Sequence, residues 1–94
     1  MQKITKNEAI QAAKTHVDLL AIKAGDCFEL LLDETIELDR GWIFFYNSCE
    51  YVSSRNDIDS LAGNGPLFVS NDLIVYDLPS SISWEKALEN LIGT

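Results

Sequence analysis

Apolar residues recur along the first quarter of the chain with the period of a helix. They lie three or four positions apart: Ile10, Ala13, Val17, Leu20 and Ala24. This spacing predicts an amphipathic helix from about Lys6 to Ala24 with one buried stripe. Thr5 and Glu8 match a capping box at its start, and Gly25 is suited to the left-handed position after its end.

The next segment, CFELLLDETIEL, alternates with period two instead. Its apolar positions are Phe28, Leu30, Leu32, Ile36 and Leu38. Its polar positions are Glu29, Asp33, Thr35 and Glu37. This pattern predicts a strand with one solvated face, long enough to form a hairpin arm with a bulge near Glu34.

The stretch GWIFFY breaks the alternation, because large apolar residues follow Gly41 without a polar break. We expect a three-residue hairpin loop, Asp39-Arg40-Gly41, with Gly41 in the left-handed region. The return strand then runs from Trp42 to about Val52. The expected cross-strand pairs are Trp42 with Leu38 and Phe44 with Ile36.

A strand with apolar residues on both faces is expected to be buried on both. One face would lie under the first helix. The other would be covered by the second helix, by a loop, or by another chain in a homodimer. For Trp42, packing in the core and a role as an interface anchor are both open.

Ser, Asn, Asp and Gly dominate SSRNDIDSLAGNGP, which predicts a loop of about 13 residues. Its expected anchors in the core are Leu61, Ala62 and Ile58. Residues 57–61 have a composition that suits one helical turn. Asn64 between two glycines indicates a rigid corner, which places Pro66 at the first residue of a strand.

Two short strands follow, Leu67–Ser70 and Leu73–Leu78, joined by a tight turn at Ser70-Asn71-Asp72. Ser83 is expected to cap a final helix, whose apolar positions are Trp84, Ala87, Leu88 and Leu91. The order α-β-β-loop-β-β-α predicts an α+β fold, an antiparallel meander of about four strands with an N-terminal and a C-terminal helix in a two-layer sandwich. The length of 94 residues is that of one domain, so residues 1–94 are predicted to form a single domain.

The net charge of −8, from 15 acidic and 7 basic residues, narrows the range of functions. Nucleic acids and anionic membranes are bound through Lys and Arg, so we expect neither as a partner. The acidic balance favours solubility or steers the chain toward a basic protein. We see no targeting segment in MQKITKNEAIQ and no apolar run near the roughly 20 residues that span a bilayer, so we expect a cytoplasmic protein.

Few residues suggest catalysis or metal binding. In a hairpin that turns at residues 39–41, the sulfur atoms of Cys27 and Cys49 would lie on the order of 13 Å apart. With a two-residue turn they would point to opposite faces, so both registers predict free thiols. His16 is the only histidine, and we expect it at the surface or at a boundary. We therefore expect no catalytic residue, no metal and no cofactor.

The carboxylates of the first hairpin arm and the long loop are expected to face water or a basic surface on a partner. The candidate partner-binding residues are Glu29, Asp33, Glu37, Asp39, Asp57 and Asp59.

Two motifs in the middle of the chain, GWIFFYNSCEY and LAGNGPLFV, resemble those of the immunity protein 35 family. The residues that carry the resemblance are Gly41, Trp42, Phe44, Phe45, Tyr46, Tyr51, Leu61, Ala62, Gly63, Asn64 and Pro66. The last third departs from the family pattern. The final hairpin turn has the shorter SNDL in place of Asp-x-x-Thr-Gly, and DLPSSIS lacks the Gly-Thr step before the last helix.

The resemblance implies a single immunity-protein-like domain that binds and neutralises a cognate polymorphic toxin and catalyses no reaction. It implies a protein toxin as the partner, encoded beside the chain, and the charge suggests that this toxin is basic. The alternative is a small chaperone-like or housekeeping protein-binding domain without a toxin partner.

Overall fold

The computed structural model describes residues 4–60 and 65–92, apart from the side chains of Asp59 and Ile92. The helices are α1 (Lys6–Ala24), α2 (Cys49–Ser54) and α3 (Trp84–Ile92). The strands are β1 (Phe28–Leu30), β2 (Ile36–Leu38), β3 (Gly41–Phe44), β4 (Tyr46–Ser48), β5 (Leu67–Ser70) and β6 (Val75–Asp77). Two 3-10 turns occupy Leu32–Glu34 and Asp57–Asp59. Within these ranges, no helix combines the length and hydrophobicity needed to cross a membrane.

Four strands form an antiparallel sheet in the order β2-β3-β5-β6, and β1 pairs with β4 in a separate two-stranded sheet. The four-stranded sheet is a meander, because its spatial order follows the chain order. The segment from β4 to the second 3-10 turn connects β3 to β5 and does not belong to this sheet. The predicted α+β class, with helices at both ends of an antiparallel meander, is confirmed.

Strand β3 is buried on both faces by helices of the same chain. Trp42 and Phe44 pack in a cluster with Val17 of α1. Ile43, on the opposite face, packs with Leu88 of α3. The strand is uniformly apolar because α1 and α3 lie on opposite faces of the sheet, so the sheet is the middle of three layers and the predicted two-layer arrangement is wrong. Three covers were considered for the second face: the C-terminal helix, a loop or another chain. The C-terminal helix, α3, is the one observed, and Trp42 is a core residue.

Helix α1 has the predicted bounds, and both reciprocal hydrogen bonds of the capping box between Thr5 and Glu8 are present. Its buried face differs from the predicted stripe and consists of Ala9, Ala13, Val17 and Ala21. Ile10 and Leu20 are only partly buried and Ala24 is exposed. Three of the four buried residues are alanines, which let the helix backbone approach the sheet while the larger side chains lie at its flanks.

The first hairpin turns one residue more tightly than predicted. Leu38 pairs with Gly41, so the loop consists of Asp39 and Arg40 alone. The predicted pairs are therefore wrong, since Trp42 lies opposite Glu37 and Ile36 opposite Ile43. Gly41 belongs to β3 and has a φ of 150°, outside the left-handed helical conformation expected of it.

The first hairpin arm is not one strand, because residues 31–35 have no paired partner in either sheet, although the Leu31 amide still donates a 2.8 Å hydrogen bond to the Phe45 carbonyl oxygen. These five residues lie opposite only Phe44 and Phe45, between the pairs Leu30–Tyr46 and Ile36–Ile43. The inserted 3-10 turn also moves the arm's apolar side chains to different faces. Phe28 and Leu30 pack on the α1 side, whereas Ile36 and Leu38 pack on the α3 side.

Cys27 and Cys49 form a disulfide, with Cα atoms 5.4 Å apart, so the prediction of free thiols is wrong. The register explains the error. Relative to the predicted register, the tighter turn moves the position opposite Cys27 back along the return strand by one residue. The insertion at 31–35 moves that position back by three more residues. Cys49 therefore lies directly opposite Cys27 and donates a backbone hydrogen bond of 2.9 Å to its carbonyl oxygen.

The return strand ends at Ser48 rather than near Val52. Ser48 is buried, and its hydroxyl accepts a 3.0 Å hydrogen bond from the Tyr51 amide, which caps α2. Tyr51 is therefore a helical residue. Ile58, predicted as an anchor, is 87% exposed because it lies on the outer side of the second 3-10 turn. The other expected anchors, Leu61 and Ala62, lie outside the described residues, as do Gly63, Asn64 and Gly93.

The second hairpin contains β5 with its predicted bounds and a β6 that is shorter than predicted. The Leu73 amide donates to the Ser70 carbonyl, and the Ser70 amide to the Ile74 carbonyl. The loop is therefore wider than Ser70-Asn71-Asp72 and places Leu73 in the left-handed region, with a φ of 67°. Pro66 immediately precedes β5, and the final helix is capped as expected, since the Lys86 amide donates to the Ser83 hydroxyl.

The positive φ of Leu73 yields the first prediction. Leu73→Gly is expected to raise the free energy of unfolding by about 0.5–1 kcal/mol, because glycine removes the steric cost of the left-handed conformation. Ile74→Gly is the matched control, since these neighbours are 43% and 47% exposed and only Leu73 has a positive φ. The control should lower stability. Urea unfolding of both variants measures the difference, and a loss of stability in Leu73→Gly would contradict the assignment of strain.

Candidate binding surface

The cysteines and the histidine, which are residue types often used in nucleophilic and acid–base catalysis, make contacts that stabilise the fold. The sulfur atoms of Cys27 and Cys49 are bonded to each other. His16, on α1, contacts Asp77 on β6 through a 2.9 Å link between its Nε2 and a carboxylate oxygen. The side chains of this pair are 28% and 60% exposed, which places His16 at a boundary, as predicted. Within residues 4–60 and 65–92, no cluster of three His, Cys, Asp or Glu residues could hold a metal ion.

The candidate carboxylates are at the surface but do not form one continuous group. Those whose side chains are described are all exposed: Glu29, Asp33, Glu37, Asp39 and Asp57. Glu29 projects from β1, and Asp33 lies in the adjoining 3-10 turn. Asp39 lies at the other end of the arm, in the hairpin turn, where its carbonyl oxygen accepts a 2.8 Å hydrogen bond from the Asn71 side chain. Asp57 and Asp59 belong to the second 3-10 turn, after α2.

A groove of about 460 Å³ lies beside Glu29, bounded by α1, β1, the first 3-10 turn and α2. We call it the α1–α2 groove. Its apolar lining residues are Ile10, Val17, Phe28, Leu30, Leu32 and Val52. Its polar lining residues are Gln11, Lys14, Asp18 and Glu29. The groove is thus apolar inside and carries two carboxylates and one ammonium group among its polar residues.

The short helix α2 forms one wall of this groove through Val52, and several contacts fix its position. The disulfide ties its first residue, Cys49, to the residue before β1. At its other end Arg55 lies 3.9 Å from the Glu34 carboxylate, and its guanidinium lies 5.9 Å from the centre of the Tyr51 ring. A six-residue helix is marginal alone, so the disulfide is the main link that holds it beside the first hairpin arm.

Several of the motif residues that the structure describes lie in the core or at a close backbone contact. Trp42 and Phe44 fill the core under α1, and Tyr46 packs against the same cluster. At Gly41, a Cβ atom would overlap the carbonyl oxygen of Val69 on the neighbouring strand. Gly65 is equally constrained, because a Cβ atom there would overlap the Leu78 carbonyl oxygen. Glycine is required at both positions because two backbone segments meet there.

Sequence patterns located Glu29 and Asp33 at this surface but did not reveal the groove. Its wall at Val52 was missed because the return strand was expected to continue through that residue. The signal that could have found it is Ser48, a preferred helix N-cap residue, at the start of SCEYVSS. Gln11, Lys14 and Asp18 share one flank of α1, and nothing in the sequence indicates that a groove borders that flank.

No curated protein and no solved structure matches the chain. The model of the immunity protein 35 family matches residues 7–90, nearly the whole chain. This match includes both motifs and the divergent hairpin. The chain therefore belongs to the immunity protein 35 family, as its motifs indicated.

Proposed function

We propose that this chain binds a cognate polymorphic toxin and neutralises it by forming a complex, without catalysing a reaction. The observation that carries the proposal is the family match over residues 7–90, because an immunity protein acts on a toxin. The toxin is a protein encoded beside the chain's gene and used in competition between bacteria.

Charge supports a basic toxin as the partner. The net charge is −8, and the candidate carboxylates with described side chains are all exposed. Opposite charges raise the rate at which two proteins meet and align. An immunity protein benefits from this, because it must bind the toxin before the toxin reaches its target.

Co-expression tests the proposal. The toxin domain encoded beside the chain's gene is induced in a bacterial host, with the chain or with an empty vector. We expect the toxin to stop growth and the wild-type chain to restore it. Continued growth arrest in cells that contain the soluble, folded chain would overturn the proposal. Protection of unrelated aggregating proteins, without rescue, would favour the chaperone-like alternative.

Charge reversal at the acidic surface is the second prediction. Glu29→Lys with Asp33→Lys is expected to lower the association rate with the toxin domain at least about tenfold at low salt, because steering is lost. Asp72→Lys with Glu89→Lys is the control. Those carboxylates are also exposed, on the second hairpin turn and on α3, and their reversal changes the net charge by the same amount.

Stopped-flow mixing at several salt concentrations measures both rates. The effect of the Glu29 and Asp33 variant should fade as salt increases, since screening weakens steering. Equal rates for the two variants would show that total charge matters and that this surface does not.

A further inference from the structure

Building on the proposed toxin partner, we propose that the α1–α2 groove receives one apolar side chain of the toxin. In the toxin, this side chain is flanked by Lys or Arg residues that contact Asp18 and Glu29. The groove is then the centre of the interface. The partner is a toxin that presents an apolar side chain between basic residues, which is more specific than a basic net charge. The floor, the rim and the wall of the groove each support this role.

The floor of the groove offers an apolar surface that the described part of the chain does not cover. Val17 is fully buried beneath it, and Phe28 and Leu30 are partly buried on the same side. Leu32, at the edge, remains 51% exposed. The volume of about 460 Å³ is large enough for a side chain of Leu or Phe size. Burial of such an anchor in a pocket is the usual source of most of the binding energy at an interface.

The rim of the groove selects positive charge around that anchor. Asp18 on α1 and Glu29 on β1 both line it, and no cation in the described part of the chain forms an ion pair with either. The single cation of the lining is Lys14, one helical turn before Asp18. Asp33 adds an exposed carboxylate next to Leu32. A toxin segment with Lys or Arg beside its apolar residue would therefore match the rim in charge.

The wall of the groove is prepared before binding. Helix α2 carries Val52, and the disulfide ties its first residue to the residue before β1. A wall that is already in place loses little conformational entropy when a partner arrives, which favours affinity. The same link explains why a six-residue helix can serve as part of a binding site.

Two variants at the groove test the proposal against the purified toxin domain encoded beside the chain's gene. Gln11→Trp places an indole in the groove from an exposed position of α1 and is expected to raise the Kd at least about 30-fold. Leu32→Ser removes the apolar edge and is expected to raise the Kd about tenfold. Leu19→Ser is the control for Leu32→Ser, because Leu19 is 53% exposed and lies outside the groove.

The control should change the Kd by less than about threefold, as isolated surface side chains do. Unchanged circular dichroism spectra and melting midpoints must accompany each variant. If the wild-type chain binds the toxin and both groove variants bind equally well, the groove proposal is wrong and the proposed function stands. If the wild-type chain does not bind the toxin at all, the proposed function itself fails, and the groove proposal fails with it.

Discussion

Removal of the Cys27–Cys49 disulfide is expected to lower the free energy of unfolding by about 3 kcal/mol. The bond joins residues 22 positions apart and so restricts the unfolded chain, which is the main source of stabilisation by a disulfide. It also fixes α2, whose first residue is Cys49. A loss of this size is a large fraction of the stability of a small domain.

The experiment compares the wild-type chain with the Cys27→Ser/Cys49→Ser variant in urea, each with and without a thiol reductant. The oxidised wild type should unfold at the highest urea concentration. Reduced wild type should unfold near the variant, and the variant should not respond to the reductant. An identical midpoint for wild type in both conditions would contradict a structural role for the disulfide.

Gly41→Ala is expected to destabilise the fold by at least about 3 kcal/mol. Gly41 has a φ of 150°, which residues with a side chain rarely adopt, and a Cβ atom there would overlap the Val69 carbonyl oxygen. That carbonyl belongs to β5, the strand paired with β3. Alanine would therefore push apart the two strands at the centre of the sheet.

Gly25→Ala is the matched control for this substitution. Gly25 also has a positive φ, of 66°, but a Cβ atom there would meet no atom within 4 Å. Its substitution should lower the free energy of unfolding by only about 1 kcal/mol, because alanine is disfavoured in the left-handed conformation. Thermal or urea unfolding of the two variants separates backbone conformation from steric overlap. Equal losses would show that the close approach at Gly41 has no effect of its own.

Local signals in the sequence predicted the elements that depend on local interactions. The capping box and the Gly25 terminus defined α1, Ser83 defined the start of α3, and Pro66 marked the entry to β5. The uniformly apolar β3 was expected to be buried on both faces, and α3 is the cover observed for the second of them. The ends of the helices, the entry to β5 and the apolar pattern of β3 are each determined by residues within a few positions of one another.

The first hairpin could not be predicted in the same way, because its register depends on the turn length and on an insertion. The turn of two residues and the detour at 31–35 together bring Cys27 opposite Cys49. The insertion interrupts the period-two pattern only briefly, at Leu31 and Glu34. The sequence predicts a bulge near Glu34. The number of residues in this bulge decides the register, and no local feature of the sequence determines that number.

The candidate binding surface was predictable in part for the same reason. The exposure of Glu29 follows from the alternation within β1, whereas Asp33 is exposed in the inserted 3-10 turn. The α1–α2 groove depends on α2 replacing the end of a strand and on the disulfide that holds it beside β1. A surface assembled by tertiary contacts between α1, β1 and α2 is beyond what a pattern along one segment can show.

Titration calorimetry of the purified chain against the purified toxin domain encoded beside its gene tests the central claim most directly. Neutralisation by binding predicts a one-to-one complex with a Kd in the nanomolar range or below, weakened by salt, and loss of toxin activity at the same ratio. Absence of binding heat over a range of temperatures, with the toxin fully active in excess chain, would contradict the claim.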